Sequence, residues 1–123
     1  MQLKKLILGF LFITIIDNIY IRLNKKMYNP IIDQSQTINV KSALLCWLCI
    51  IISINLLVLS RPDINSKNSF IYGAFLGFAM YSVYNTTNFA TYPNKWSIKI
   101  ASVDTMWGTL VCGVTSYMMY KYF

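Results

Sequence analysis

Asp17 and Asp104 are the residues from which chemistry is most readily expected, because each interrupts a long apolar stretch. An aspartate near the centre of a membrane helix costs about 2.5–3.5 kcal/mol on insertion scales and marks a functional site by default. Polar and aromatic residues recur around both at helical spacing. Thr14, Asp17 and Asn18 follow i, i+3 and i+4. Tyr81, Tyr84, Asn85, Asn88 and Tyr92 form a second stripe, and Asp104, Trp107 and Gly108 share a third face. A pocket built from these would use Asp17 and Asp104 as anchors, Asn85 and Asn88 as hydrogen-bonding selectors, and Trp107 and Tyr84 as walls.

The composition narrows that chemistry. The four acids are all Asp (17, 33, 63 and 104), and the chain has neither Glu nor His. An imidazole base, a Ser-His or Cys-His dyad and a His-built metal centre are therefore excluded. Cys46-Trp47-Leu48-Cys49 has CxxC spacing but lies within an apolar helix, away from the helix N-terminus and solvent that a redox pair needs. These cysteines read as buried small residues. No cofactor, metal or catalytic residue is expected. Asn85-Thr86-Thr87 matches a glycosylation sequon, yet its place inside an apolar stretch makes it a false positive.

Only 12% of the 123 residues are charged and 56% are hydrophobic, against about 25% charged in a soluble domain. The apolar residues come in blocks at about 6–23, 43–59, 70–90 and 98–120, each near the ~20 residues that cross a bilayer. Helices are the default there, because lipid offers no partner to backbone polar groups. The expected fold is all-α, an integral membrane four-helix bundle forming a single domain over 1–123. Arg61-Pro62-Asp63 and Tyr92-Pro93-Asn94 stop helices, and Ser97 suits the N-cap of the fourth.

The net charge of +7 sits beside the apolar blocks, as in membrane proteins, so the bilayer is the expected partner and nucleic acid is not. Lys4 and Lys5 before an apolar run resemble a signal peptide, but no small-x-small cleavage site follows, and an uncleaved first span is the better reading. Five basic residues on the side of the termini against six on the other leave the orientation open. The expected location is multi-pass in a bacterial inner membrane or a viral or host membrane. Trp47, Trp96, Tyr20, Tyr28, Tyr92, Tyr117, Tyr120 and Tyr122 fall mostly near span ends and read as an aromatic belt. Segment 24–42, which contains Lys25 and Lys26 and follows Arg22, reads as a solvated linker.

In an antiparallel array the polar groups of spans one, three and four fall roughly 4–12 Å from the midplane, all toward one leaflet. They can then form one layer. Two carboxyls sharing a proton, or hydrogen-bonded to Asn85 or Asn88, would satisfy it with no ligand. Beside it run the GxxxG of Gly73 and Gly77 and a small-residue seam of Ala101, Thr105, Gly108 and Cys112. Such faces let helices approach closely, within one chain or in a homo-oligomer.

Tyr84-Asn85-Thr86-Thr87-Asn88-Phe89-Ala90-Thr91, then Trp96, then Val103-Asp104-Thr105-Met106-Trp107-Gly108, resembles a family of small predicted membrane proteins. It is domain-of-unknown-function family 2177, with bacterial and large-DNA-virus members, and the likeness spans essentially the whole chain. The resemblance implies four spans and singles out Asp17, Thr87, Asn88, Ala90, Thr91, Trp96, Asp104, Trp107 and Gly108. Two positions depart: Asn85 stands where the family usually has Asp, and Tyr20 where it usually has Trp. Losing that third carboxyl weakens any strongly anionic cation site or carboxylate relay. The family brings no activity; its viral members, with Ile, Asn, Lys and Tyr making up 45 residues as in AT-rich coding sequence, make a viral origin plausible.

Three readings follow. The first is a membrane-embedded binding or transport protein with a one-leaflet pocket on Asp17 and Asp104. The second is a structural or assembly component in which the same layer only locks the bundle. An enzyme using the two acids as an acid/base pair is the third, set aside for want of His, Glu or a nucleophile.

Overall fold

The structure, a computed structural model, describes residues 2–32 and 37–123. All of its regular elements are helical. In chain order they are α1 (Leu3–Leu23), the single turn α2 (Lys25–Tyr28), α3 (Val40–Ser53) running on into a π-helical segment (Ile54–Leu59), α4 (Ser66–Thr91) and α5 (Ile98–Lys121). The four long stretches coincide with the four apolar blocks. Part of the expected linker, 33–36, lies outside the described residues.

Local chemistry sets the boundaries. Asn39, Asn65 and Ser97 each have extended backbone, and each side chain accepts the backbone N–H three residues on, at 3.1, 2.9 and 3.1 Å. These are N-caps that satisfy otherwise orphaned donors. Between α4 and α5 the turn around Pro93 is closed by Lys95 N–H and Trp96 N–H, both donating to the Tyr92 carbonyl. That turn folds α5 back along α4.

Packing between α4 and α5 is the most extensive in the molecule, with α1 against α5 and α3, and the π-helical segment against α4 and α5. The two glycines of the GxxxG make the close approach possible. A Cβ on Gly77 would run into the Gly108 carbonyl and the Cys112 Cβ, and one on Gly73 into Ser116. Of the two uses expected for the Gly73 and Gly77 face, contact within one chain or with a second copy, the structure shows the first, with α5. Ile13, Ile50, Ile51, Ile54, Val58, Val111, Cys112 and Met119 form the apolar core.

Among the described residues, two helices are long and apolar enough to cross a membrane: Leu3–Leu23, with mean hydropathy 1.9, and Val40–Leu59, with 2.5. The other two have the length, 26 and 24 residues, without that unbroken apolarity. Several of their polar and small residues are buried, while large apolar ones lie outside. On α4 the buried set is Ser69, Gly73, Gly77 and Asn85, while Phe75 and Phe78 are exposed. On α5 Thr115 and Ser116 are buried while Met106 and Leu110 are exposed.

Candidate functional site

The polar groups gather at one end of the bundle, where α1 ends, α3 begins, and the turn around Pro93 joins α4 to α5. Asp17 lies on the last third of α1. Its two oxygens accept indole N–H groups from different helices, Trp107 on α5 at 2.8 Å and Trp47 on α3 at 2.9 Å. Asp104, on the second turn of α5, accepts the Tyr28 hydroxyl at 2.7 Å and the Asn85 side-chain amide at 2.7 Å. Each carboxyl is therefore clamped between two donors, and every contact is one in which it accepts. That pattern suits a carboxylate, whose oxygens only accept.

Asn85 is fully buried and completely satisfied. Its amide nitrogen donates to Asp104 and to the Tyr81 carbonyl at 2.8 Å, and its oxygen accepts the Trp96 indole at 3.0 Å. This geometry explains why an amide suits position 85: a carboxylate here would face Asp104 with no hydrogen to give.

The single Tyr28 hydrogen goes to Asp104, so in its 2.9 Å bond with Tyr20 the Tyr20 hydroxyl is the donor. Burial pushes the Tyr28 phenol well above its ordinary range, with the bonds to Tyr20 and Asp104 adding to it, so it stays a donor. Tyr20 also stacks on Trp107, with ring centroids 4.2 Å apart and planes 2° from parallel. The two carboxylate clamps thereby become one network, from Trp47 through Asp17, Trp107, Tyr20, Tyr28, Asp104 and Asn85 to Trp96.

A cavity of about 580 Å³ adjoins this network. Asp17, Asp104, Tyr20, Tyr28, Tyr81 and Tyr84 contribute to its wall, with Trp96 and the aliphatic side chains of Ile21, Ile31, Ile32, Ile50 and Met80. It reaches the surface at Ile21, Ile32 and Tyr84, all exposed. Size and an apolar wall with few convergent polar groups are what small-molecule sites have in common. A second cavity of about 350 Å³ adjoins it across Ile31 and Trp96, lined also by Asn88, Tyr92 and Lys95.

Residues 2–121 match the pattern of a family described as predicted membrane proteins (DUF2177). The chain belongs to that family. The match takes in every residue of the network and both cavities. No curated protein and no solved structure matches the chain. Within this DUF2177 member, Asp17, Trp96, Asp104 and Trp107 all fall in the network, and Gly108 supports it by making room for the Tyr81 ring. Thr87, Ala90 and Thr91 are exposed on α4 and take no part.

Several placements differ from the sequence expectation. Of the six expected pocket residues, Asp17, Asp104 and Tyr84 line the large cavity. Asn85 and Trp107 sit behind its wall, holding Asp104 and Asp17, and Asn88 belongs to the second cavity. Asn18 turns away to the Thr14 carbonyl at 2.8 Å. The two carboxyls do not bond to each other; each has its own pair of partners. Cys46 and Cys49 are exposed along the cavity wall, since one face of α3 has no neighbouring helix there. Trp47, Tyr20, Tyr28 and Trp96, expected in the aromatic belt, are also members of the network. For Trp47 a signal exists: an indole N–H within an apolar span needs an acceptor, and a carboxylate is the strongest one available.

Proposed function

We propose that this protein is a four-span, multi-pass membrane protein whose cavity binds a small solute or lipid from one leaflet, with no catalytic step of its own. The single observation that carries the reading is the cavity itself. A polar layer that only locked the bundle would be closed and dry, whereas here both carboxylates border about 580 Å³ of accessible space. The four-span arrangement is supported by the inverted character of α4 and α5, buried polar and small residues with exposed Phe75, Phe78, Met106 and Leu110. Helices that pack in lipid have this pattern.

A structural role has its own support. Hydrogen bonds to a charged group contribute about 1.5–3 kcal/mol each, so two per carboxylate offset an insertion cost of about 2.5–3.5 kcal/mol. The clamps would stabilise the bundle with the cavity empty. Binding and clasping are compatible, because a site held rigid before its ligand arrives loses less entropy on binding.

Filling the cavity separates the two. Cys49→Phe points a large side chain into the space without touching any clamp. Under the binding reading this variant keeps its thermal stability and loses solute- or lipid-induced stabilisation in detergent. If added solutes and lipids stabilise wild type and variant alike, the cavity is only a packing defect and the structural role remains.

A further inference from the structure

Resting on the binding reading above, we infer that the ligand is an organic cation, a protonated or quaternary amine carrying an apolar body. The clamps around Asp17 and Asp104 consist entirely of neutral donors: two indoles, a phenol and an amide. Such dipoles satisfy hydrogen-bonding capacity but leave the net charge in place. Among the described residues the one ion pair is Arg61–Asp63, in the turn before α4, and no lysine or arginine lines the large cavity. Two negative charges therefore border one largely apolar space with no counter-charge. Both carboxyls are half-buried, charges in an apolar setting are ordinarily paired, and the partner that completes this one is a cation.

The rest of the wall suits an organic cation better than a bare metal ion. Tyr20, Tyr28, Tyr81, Tyr84 and Trp96 surround the space, and aromatic faces attract ammonium groups, quaternary ones included. No group of three or more metal-ligating His, Cys, Asp or Glu side chains occurs among the described residues. Ile31, Ile32, Ile50 and Met80 offer surface for an apolar body. Each carboxylate oxygen carries one donor and keeps a lone pair for a ligand N–H. The neighbouring cavity carries Lys95, so the cation site ends at Trp96.

The test uses full-length protein in an uncharged maltoside detergent, titrated with three ligands of one shape. They are 4-phenylbutyltrimethylammonium, its all-carbon tert-butyl isostere, and 4-phenylbutanesulfonate. Binding is read from tryptophan fluorescence and from the thermal unfolding midpoint. The cation is expected to bind at least ~10-fold more tightly than the neutral isostere, with no binding of the sulfonate. Asp17→Asn and Asp104→Asn should each reduce that preference while keeping affinity for the isostere. Should either unfold, Tyr84→Leu, which disturbs no clamp, is expected to weaken the cation more than the isostere. Equal binding of cation and isostere to wild type overturns the cation inference and leaves the binding pocket standing. Binding of none of the three overturns both.

Discussion

Asn85 gives its side-chain amide to Asp104 at 2.7 Å while accepting the Trp96 indole at 3.0 Å, so one buried amide links α4, α5 and the turn between them. Both of its hydrogens and its oxygen are used. Asn85→Asp keeps the shape and removes the donors. At low pH a protonated carboxyl at this position can still donate to Asp104, but as pH rises two like charges meet. The variant is expected to unfold near the wild-type temperature at about pH 4–5 and progressively below it toward pH 8. Thermal unfolding across that range, in one detergent, measures the divergence; parallel curves would break the charge argument.

Asp17 joins three helices through Trp47 and Trp107, and its removal leaves both indole N–H groups without an acceptor. A buried unsatisfied donor costs about 1–3 kcal/mol. Asp17→Leu should therefore destabilise by several kcal/mol, and much less in a Trp47→Phe, Trp107→Phe background, where no donor is stranded. The comparison is a double-mutant cycle read by thermal unfolding. Additive losses would mean that the clamp contributes no coupling.

Gly77 faces the Gly108 carbonyl across the α4–α5 contact, and main chain cannot swing aside as a side chain can. Overpacking of this kind costs about 1–3 kcal/mol. Gly77→Ala is expected to lower the unfolding midpoint clearly. Gly9→Ala meets only the flexible end of Met119 and should cost less. Equal effects would show that the two helices are free to part.

Cys46 and Cys49 border the cavity while Cys112 is fully buried. N-ethylmaleimide on the folded protein should modify the first two and spare the third, read by mass spectrometry of the intact chain and its fragments. A ligand seated in the cavity should slow the reaction. Prompt modification of Cys112 would contradict the packing of α4 on α5.

At the other end of the bundle, the Tyr72 hydroxyl bonded to Asp63 holds that carboxyl below its ordinary value, with Arg61 adding to it. A carboxyl whose folded pKa is depressed contributes stability above the unfolded value, here 3.8, and loses it as pH falls through the folded one. Acid should therefore weaken the wild type below about pH 4, and Tyr72→Phe should flatten that loss. Because Asp63 is largely exposed, the effect is expected to be small.

Sequence alone determined that this chain is all-α, where its four long helices lie, and that its polar residues collect at one end. Apolar runs, proline stops and Asn or Ser caps act within a few residues, and the 3.6-residue period places Asp17, Asn85 and Asp104 once the helices alternate in direction. Tertiary structure alone decided which donor meets which carboxylate. Trp47 and Trp107 reach Asp17 across 30 and 90 residues, and Tyr28 reaches Asp104 across 76. No local period encodes such partners, and an aromatic residue near a span end looks the same whether it faces headgroups or a carboxylate. A pocket on Asp17 and Asp104 was expected, but its extent along Ile31, Ile32, Cys46, Cys49 and Ile50 was not, because those residues meet only in the folded chain. Asn85 and Trp107 were found by their spacing, but their place behind the wall depended on how α4 and α5 close together at Gly77 and Gly108.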